Sequence, residues 1–473
     1  MKILLIKPPL NPNLVTFSLY EPLELEYLAA SVKDSDVRIL DMRIDRNLHR
    51  ELRDFRPDLT GITGYTCDYN TVVGLLKDIK QFSSSIKNVV GGSHATFSPQ
   101  DFALPTVDAI FTGYADSTFP EYVKVLHDPA RLKEIPNIGL VENGRIFFTR
   151  KEIHVPDLDK LPVPDRNLTA KYCNRYHDPL LNKMALIMTS RGCPFRCNFC
   201  ACWKMMEGHF AARSPESIIE EIEGMPAGTD IVYFSDDNTF NDIGRMWRLS
   251  ELIRKHNIRK RFQMYARADT IVKNRDLFAE MKESGLQFIS IGLESFRDSE
   301  LDYYKKRTSV EMNSRAIRIM KDLNVHIIAL FIVRPDYSAE DFDQLFEYVF
   351  SNNLFRPAFP VLTPLPGTEL YEEKADQFKI TDYDFFDFVH SVLPTKLETR
   401  EFYRQLRKIY LRSFSLKRLV SHRLHRLLSI NTDKFFTDNT DGITAGKLFL
   451  MALHSISASW KIQTAYRKIL KKG

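Results

Sequence analysis

Apolar runs set the first rhythm of the chain: ILLIK (3–7), VRILDM (37–42), LTGITGYT (59–66), KNVVGG (87–92) and DAIFTG (108–113). Each is continuous and rich in β-branched residues, as strands buried on both faces require. Helical spacing fills the gaps at 23–31 and 71–82. Strand–helix alternation at this beat predicts a parallel, doubly wound, Rossmann-like sheet that takes ligands beyond its strands' carboxyl ends. Gly61, Gly64, Gly91, Gly92 and Gly113 gather at those ends. Bare backbone there lets a bulky ligand approach closely, although singly each also reads as a turn glycine. Residues 129–183, rich in Pro and charge and without periodicity, read as a linker.

The alternation then resumes with a longer period. Strands are expected at ALIMTS (185–190), DIVYFSD (230–236), RFQMYAR (261–267), QFISIGLE (287–294), VHIIALFIV (325–333) and PAFPVL (357–362). Helices are expected near 215–224, 242–256, 274–284, 311–323 and 339–351. Six β/α units make a partial TIM-like barrel with its site at the strands' C-terminal ends. The expected division is a doubly wound domain at 1–130, a linker at 131–183, a (β/α)6 barrel at 184–385 and a helical region at 386–473.

Composition narrows the class. A chain of 473 residues exceeds one ordinary core. With 44% hydrophobic and 27% charged residues it reads as globular. MKILLIKPPL is a buried first strand stopped by Pro8 and Pro9, not a signal peptide, and no stretch offers about 20 apolar residues for a span. A cytoplasmic, reducing location is therefore expected, where clustered cysteines mean metal or redox chemistry. Residues 396–473 hold 17 Lys/Arg and 5 Asp/Glu, a local +12 against a total of +5, so the rest of the chain carries −7.

The most specific chemistry is RGCPFRCNFC (191–200), where Cys193, Cys197 and Cys200 follow the first barrel strand in C-x3-C-x2-C spacing. Three thiolates can hold three irons of a [4Fe–4S] cube and leave the fourth open to a ligand. A zinc site completed by Cys202 or His209 is the alternative, without the usual paired spacing; chance grouping of free cysteines is a third.

C-x3-C-x-F-C, with Phe199 before the last Cys, resembles the signature of the radical S-adenosylmethionine (SAM) superfamily, and further motifs match over 184–366. By this resemblance Asp236 and Asp237 in FSDDNTF (234–240) approach the SAM amine. Arg267 and Asp269 in YARAD (265–269) lie near its carboxylate and ribose, and Glu294 and Ser295 in GLES (292–295) hold the ribose. Asp236 or Asp237 could instead cap the next helix. LTPLPGTELY (362–371) resembles the sixth-strand segment of one branch. Where the family shows Gly-Pro-Gly after the fifth strand, this chain has VRPDYSAED (333–341), which gives Arg334 a different role. KILLIKPP (2–9), PDLTGIT (57–63), NVVGGSHAT (88–96) and VDAIFTGYADSTFPEYV (107–123) resemble a cobalamin-binding domain, with Thr63, Gly91, Gly92, His94 and Gly113 at the cofactor. The D-x-H-x-x-G motif is missing, so no histidine is expected beneath cobalt. His94 could contact the cofactor or satisfy a buried loop. Gly113-Tyr114-Ala115-Asp116 stands where Gly-Glu-Gly-Glu is common. The resemblance implies a [4Fe–4S] cluster, SAM, cobalamin, an electron donor such as flavodoxin or ferredoxin, and methyl transfer to an unactivated carbon.

The tail bears on substrate. In 400–428, Phe402, Leu406, Ile409, Leu416, Val420, Leu424 and Leu427 fall on one helical face among arginines and lysines. Such a helix either meets a membrane surface, on the inner face, or packs on the barrel; nucleic acid would need a basic groove instead. EPLELEYLAA (21–30) and DYDFFDFVHSVLPTKLETREFY (382–403) are similar to hopanoid C-3 methylases, which implies C-methylation of an apolar lipid. Oxidative cyclases of the magnesium-protoporphyrin ester type share the same domains, and an iron–sulfur electron carrier is a non-catalytic alternative.

Overall fold

The computed structural model describes residues 1–11, 18–153, 155–178, 182–414 and Ile462. Its first sheet contains β1 (Lys2–Lys7), β2 (Asp36–Asp41), β3 (Leu59–Thr63), β4 (Lys87–Gly91), β5 (Ala109–Phe111), β6 (Ile138–Glu142) and β7 (Arg145–Phe148). The order is β2-β1-β3-β4-β5-β6-β7, parallel from β2 to β5. Successive side chains leave opposite faces. Leu4, Ile6 and Val90 thus pack with Leu52 and Leu76 on one side, and Ile3, Leu5 and Val89 with Leu25 and Phe119 on the other. Helices cover both faces, which is why the strands read as unbroken apolar runs.

The linker expectation needs correction. β6 and β7 are an antiparallel hairpin that extends the first sheet, so its limit lies beyond residue 130. Asn143 and Gly144 turn the hairpin with φ of 52° and 73°. An Asn-Gly pair between short runs is a hairpin signal, but two strands this short lack the periodicity on which the expectation relied. β8 (His177–Asp178) also falls in that stretch and pairs antiparallel with the second sheet.

That second sheet holds β8 and β9 (Asn182–Ile187), then, past a two-stranded corner of β10 (Ser190–Arg191) and β11 (Ala211–Ala212), β12 (Ile231–Phe234), β13 (Arg261–Ala266), β14 (Leu286–Glu294), β15 (His326–Phe331) and β16 (Arg356–Ala358). Its order is β16-β15-β14-β13-β12-β9-β8, parallel from β9 onward, a partial barrel of six parallel strands. Helices Pro215–Glu223, Ile243–Lys255, Arg275–Glu283, Val310–Asp322 and Ala339–Ser351 pack outside it. Inside, Tyr233, Phe288 and Tyr265 meet Tyr20 of the first domain.

Helix Thr399–Ser413 begins the basic tail. Phe402, Leu406 and Ile409 are buried against the barrel's outer core, so this part of the tail is a packing element and its apolar face is not free for a membrane. Leu416, Val420, Leu424 and Leu427 lie outside the described residues. No described helix is long and apolar enough to cross a membrane.

Candidate active site

The cysteines sit on a loop pinned at both ends, because β10 and β11 pair Arg191 with Ala211. Gly192 opens the loop at φ 82°, and any Cβ there would strike the His209 carbonyl. Cys197 is buried, and Cys193 and Cys200 are half-buried. Burial, with Cys200 and Cys197 close by, pushes the Cys193 thiol up to about 11. Burial also raises Cys197, where neighbouring Cys200 adds to the shift and Lys306 opposes it. Cys200 is instead lowered, chiefly by its hydrogen bond with Cys202, and three thiolate donors on one short loop are the set that holds three irons of a cube. Cys202 lies against Cys200 and Asp237.

The two aspartates of FSDDNTF part company. Asp236 accepts from Thr189 N (2.7 Å), Thr189 Oγ1 (2.6 Å) and Ser190 N (2.9 Å), so it fastens the β9–β10 corner and has little left for a ligand's amine. Asp237 accepts from Gly192 N (2.9 Å) and faces the cysteine loop, where burial raises its carboxyl. Ser295 is likewise turned inward: fully buried, it donates to Glu300 (2.5 Å) and accepts from Arg297 N. Arg267 stacks 3.6 Å over Phe195 of the cysteine loop and donates to Asp269 (2.9 Å) and to the Lys306 carbonyl (2.8 Å). Glu294 bonds the Lys306 ammonium at 2.6 Å. Phe199 packs edge-on against Tyr304 at 5.4 Å.

The sequence reading missed Asn238 and Lys306. Asn238 is buried with both side-chain polar atoms unpartnered, and Ser190, whose N–H Asp236 accepts, has a buried, unpartnered Oγ. Buried polar atoms are seldom left unpaired, so this rim fits a polar ligand such as SAM. Asn238 stood within a motif already singled out, whereas Lys306 lay in a turn without one.

At the carboxyl edge of the first sheet, Gly92 (φ 97°) presses on β3. A Cβ there would lie 2.7 Å from the Gly64 oxygen and 2.9 Å from Thr63 Oγ1. Thr96 donates to the Gly92 carbonyl (2.8 Å) and accepts from Gly113 N (2.9 Å), joining the β4 and β5 loops. Gly91 is ordinary strand end, but a Cβ on Gly113 (φ 81°) would meet open space. That space is a cleft of about 1720 Å³ lined by Thr96, Gly113 and Tyr114 on one side and Trp203 and Met206 on the other. It exceeds the few hundred to 1,000 Å³ of an ordinary small-molecule pocket, which suits a cofactor of corrinoid size. His94 faces elsewhere: it is buried among Tyr69, Phe102 and Tyr383, with Nε2 3.2 Å from Asp101. Of the two roles open to His94, this aromatic enclosure favours the buried loop over the cofactor.

The departure at Gly113–Asp116 now has a meaning. Asp116 pairs with both guanidinium nitrogens of Arg191, and that guanidinium lies 4.2 Å over Tyr114. The acid at 116 thereby ties the cofactor loop to the cysteine loop. Arg334 is held by Asp336 in two hydrogen bonds (2.8 and 2.6 Å) over the Tyr303 ring.

Comparison with known proteins agrees with this arrangement. The family model for the radical SAM superfamily matches residues 187–349, and that for the B12 binding domain matches 14–123. Hopanoid C-3 methylase of Methylococcus capsulatus is 28% identical over 421 residues, covering 86% of this chain and 79% of that one. The anaerobic magnesium-protoporphyrin IX monomethyl ester cyclase of Rubrivivax gelatinosus is 25% identical over 421 residues, covering 85% and 75%. Among solved structures, the cobalamin-dependent S-adenosylmethionine radical enzyme OxsB superposes with a TM-score of 0.70 at 16% identity, covering 100% of this chain and 81% of that one. The radical SAM methyltransferase TsrM of Kitasatospora setae gives 0.64 at 18%, covering 79% and 78%. The two family matches follow one another along the chain, which is therefore a radical SAM enzyme with a B12-binding domain ahead of its barrel and a [4Fe–4S] cluster, SAM and cobalamin as cofactors.

Proposed function

We propose that the enzyme methylates an unactivated carbon of a large apolar lipid, with C-3 on ring A of a hopanoid as the first candidate. The relationship to hopanoid C-3 methylase, which covers 86% of the chain, carries this reading. The aromatic cluster of Tyr20, Tyr233, Tyr265 and Phe288 makes the barrel interior apolar, which suits an apolar substrate. Tyr233 donates to the Tyr265 hydroxyl at 2.5 Å, so these two phenols partner each other. When bound, the cofactors supply a hydrogen-abstracting radical and a transferable methyl group; the chain's work is to place the substrate carbon and keep water out. A flavodoxin or ferredoxin would be the electron donor.

The cyclase relatives, at 25% identity, favour oxidative ring formation as the second reading. Anaerobic incubation of the reconstituted enzyme with SAM, reductant and a desmethyl hopanoid separates the two. One added methyl on ring A is the expected product. An inert hopanoid, with ring closure of a magnesium-protoporphyrin ester instead, would replace this reading with the second.

A further inference from the structure

Lys306 is the feature of the site that the motifs do not explain. It lies in the turn after helix Asp298–Tyr303, between two exposed residues, Lys305 and Arg307, each at φ 53°. Left-handed backbone costs a non-glycine residue about 1–2 kcal/mol. Two such residues in one turn are kept where the surrounding structure requires them. Here they turn one lysine of a basic triplet inward: Lys306 is 8% exposed. Its ammonium donates to Glu294 Oε1 at 2.6 Å, and Glu294 is itself left-handed (φ 58°) at the end of β14. Arg267 fixes the turn from below through the Lys306 carbonyl at 2.8 Å.

The ion pair lies over bare backbone. A Cβ on Gly292 would stand 2.8 Å from Lys306 Nζ and would collide with Glu294 Oε1. The turn is fastened to the cysteine loop: Asn198, next to Cys197, donates its N–H to the Tyr304 carbonyl (3.3 Å) and its side-chain amide to the Tyr303 carbonyl (2.8 Å), and Arg267 spans from the Phe195 ring to the Lys306 carbonyl. The Cys197 thiol in turn feels Lys306 as the first of its charged neighbours. Nearby charge is one of the controls a protein has over an iron–sulfur reduction potential, because a cation stabilises the added electron.

We propose that Lys306 is a positioning residue of the cluster, an inward-turned ammonium that Glu294 and the Arg267-bound turn hold beside Cys197, where it makes the reduction potential less negative. Glu294 is the opposing charge of the pair. Removing the cation and removing the anion must therefore move the potential in opposite directions, which a merely structural role would not do.

The test is a redox titration of the reconstituted full-length enzyme without SAM, followed by electron paramagnetic resonance. Leaving SAM out separates the result from the assignment of SAM contacts and from the substrate. In Lys306→Met the ratio of reduced to oxidised cluster at the wild-type midpoint should fall about tenfold, a 59 mV shift for one electron. Glu294→Gln should shift the midpoint the other way, and Lys306→Arg should stay near wild type. Lys306→Met holding four irons at an unchanged midpoint, or both charge removals shifting the same way, overturns the proposal. If Lys306→Met cannot hold the cluster, Glu294→Gln decides: a midpoint unchanged or more negative than wild type overturns it equally.

Discussion

Asp236 and Asp237 are adjacent, identical in chemistry and opposite in use. One is saturated by three donors of its own chain and the other faces the cysteine loop. No property of either residue alone distinguishes them, because the division depends on which carboxylate the β9–β10 corner meets. Glu26 is a similar case outside the site. It is fully buried on helix Leu23–Ser31, takes one hydrogen bond from the Thr169 hydroxyl, and leaves Oε2 without a partner. Burial, reinforced by Glu21, raises its carboxyl to about 8. An unfolded Glu ionises near 4.3, so between about pH 4.3 and 8 the unfolded chain binds fewer protons than the fold. Stability contributed by this group is therefore complete below pH 4.3 and declines as pH rises to about 8. Glu26→Gln keeps the neutral shape without that slope. Urea unfolding should show the variant equal to wild type at pH 5 and more stable at pH 8, by an amount on the order of a few kcal/mol at 1.36 kcal/mol per pKa unit. A variant less stable than wild type at pH 8 would mean that the ionised carboxylate is needed.

Elements were the most legible scale. Helix Ala339–Ser351 coincides with its expected span, and its Ser338–Asp341 capping box is a local signal. The β6–β7 hairpin was legible only at its Asn-Gly turn. Helix Thr399–Ser413 is the instructive one, since its amphipathic pattern fitted a membrane surface and a protein surface equally. Periodicity says that one face is apolar, not what covers it. Burial of Leu406 decides for the barrel, and Leu406→Ala should cost about 2–5 kcal/mol by opening a core cavity. A loss below about 0.5 kcal/mol in chemical denaturation would show that the helix does not carry the packing described.

At the scale of the whole molecule, the two sheets are joined by a charged clamp. β8 covers β9 only at Asn182 and Lys183. Beyond it, Leu186 donates its N–H to Glu21 (2.8 Å) of the first domain, and its carbonyl accepts from Arg166 (2.6 Å). Arg166 continues to Glu221 at 2.8 Å, which Arg213 also engages. Buried charges of this kind need their partners, so domain placement and barrel edge are coupled. The proposed lipid substrate gives the basic excess a testable role at a membrane surface. Each Lys or Arg near anionic lipid adds about 1 kcal/mol of attraction, so Lys417, Arg418, Arg423 and Arg426 replaced by Gln should weaken salt-sensitive binding to anionic vesicles. Equal binding by wild type and variant would remove these residues from that role.

The amino-acid sequence by itself determined the two alternating sheets and the cysteine loop, because hydrophobic period and ligand spacing are local properties written in consecutive residues. Tertiary structure alone decided which motif residues are free to bind. Asp236 and Ser295 carry the right chemistry but are engaged by other residues of the chain, and His94 is enclosed by aromatic rings. Asn238 and Lys306 gain their significance from orphaned burial and from a turn that brings an ammonium to Cys197. A polar group's availability is what remains after its hydrogen bonds are assigned, and those partners come from strands and turns that only the fold brings together.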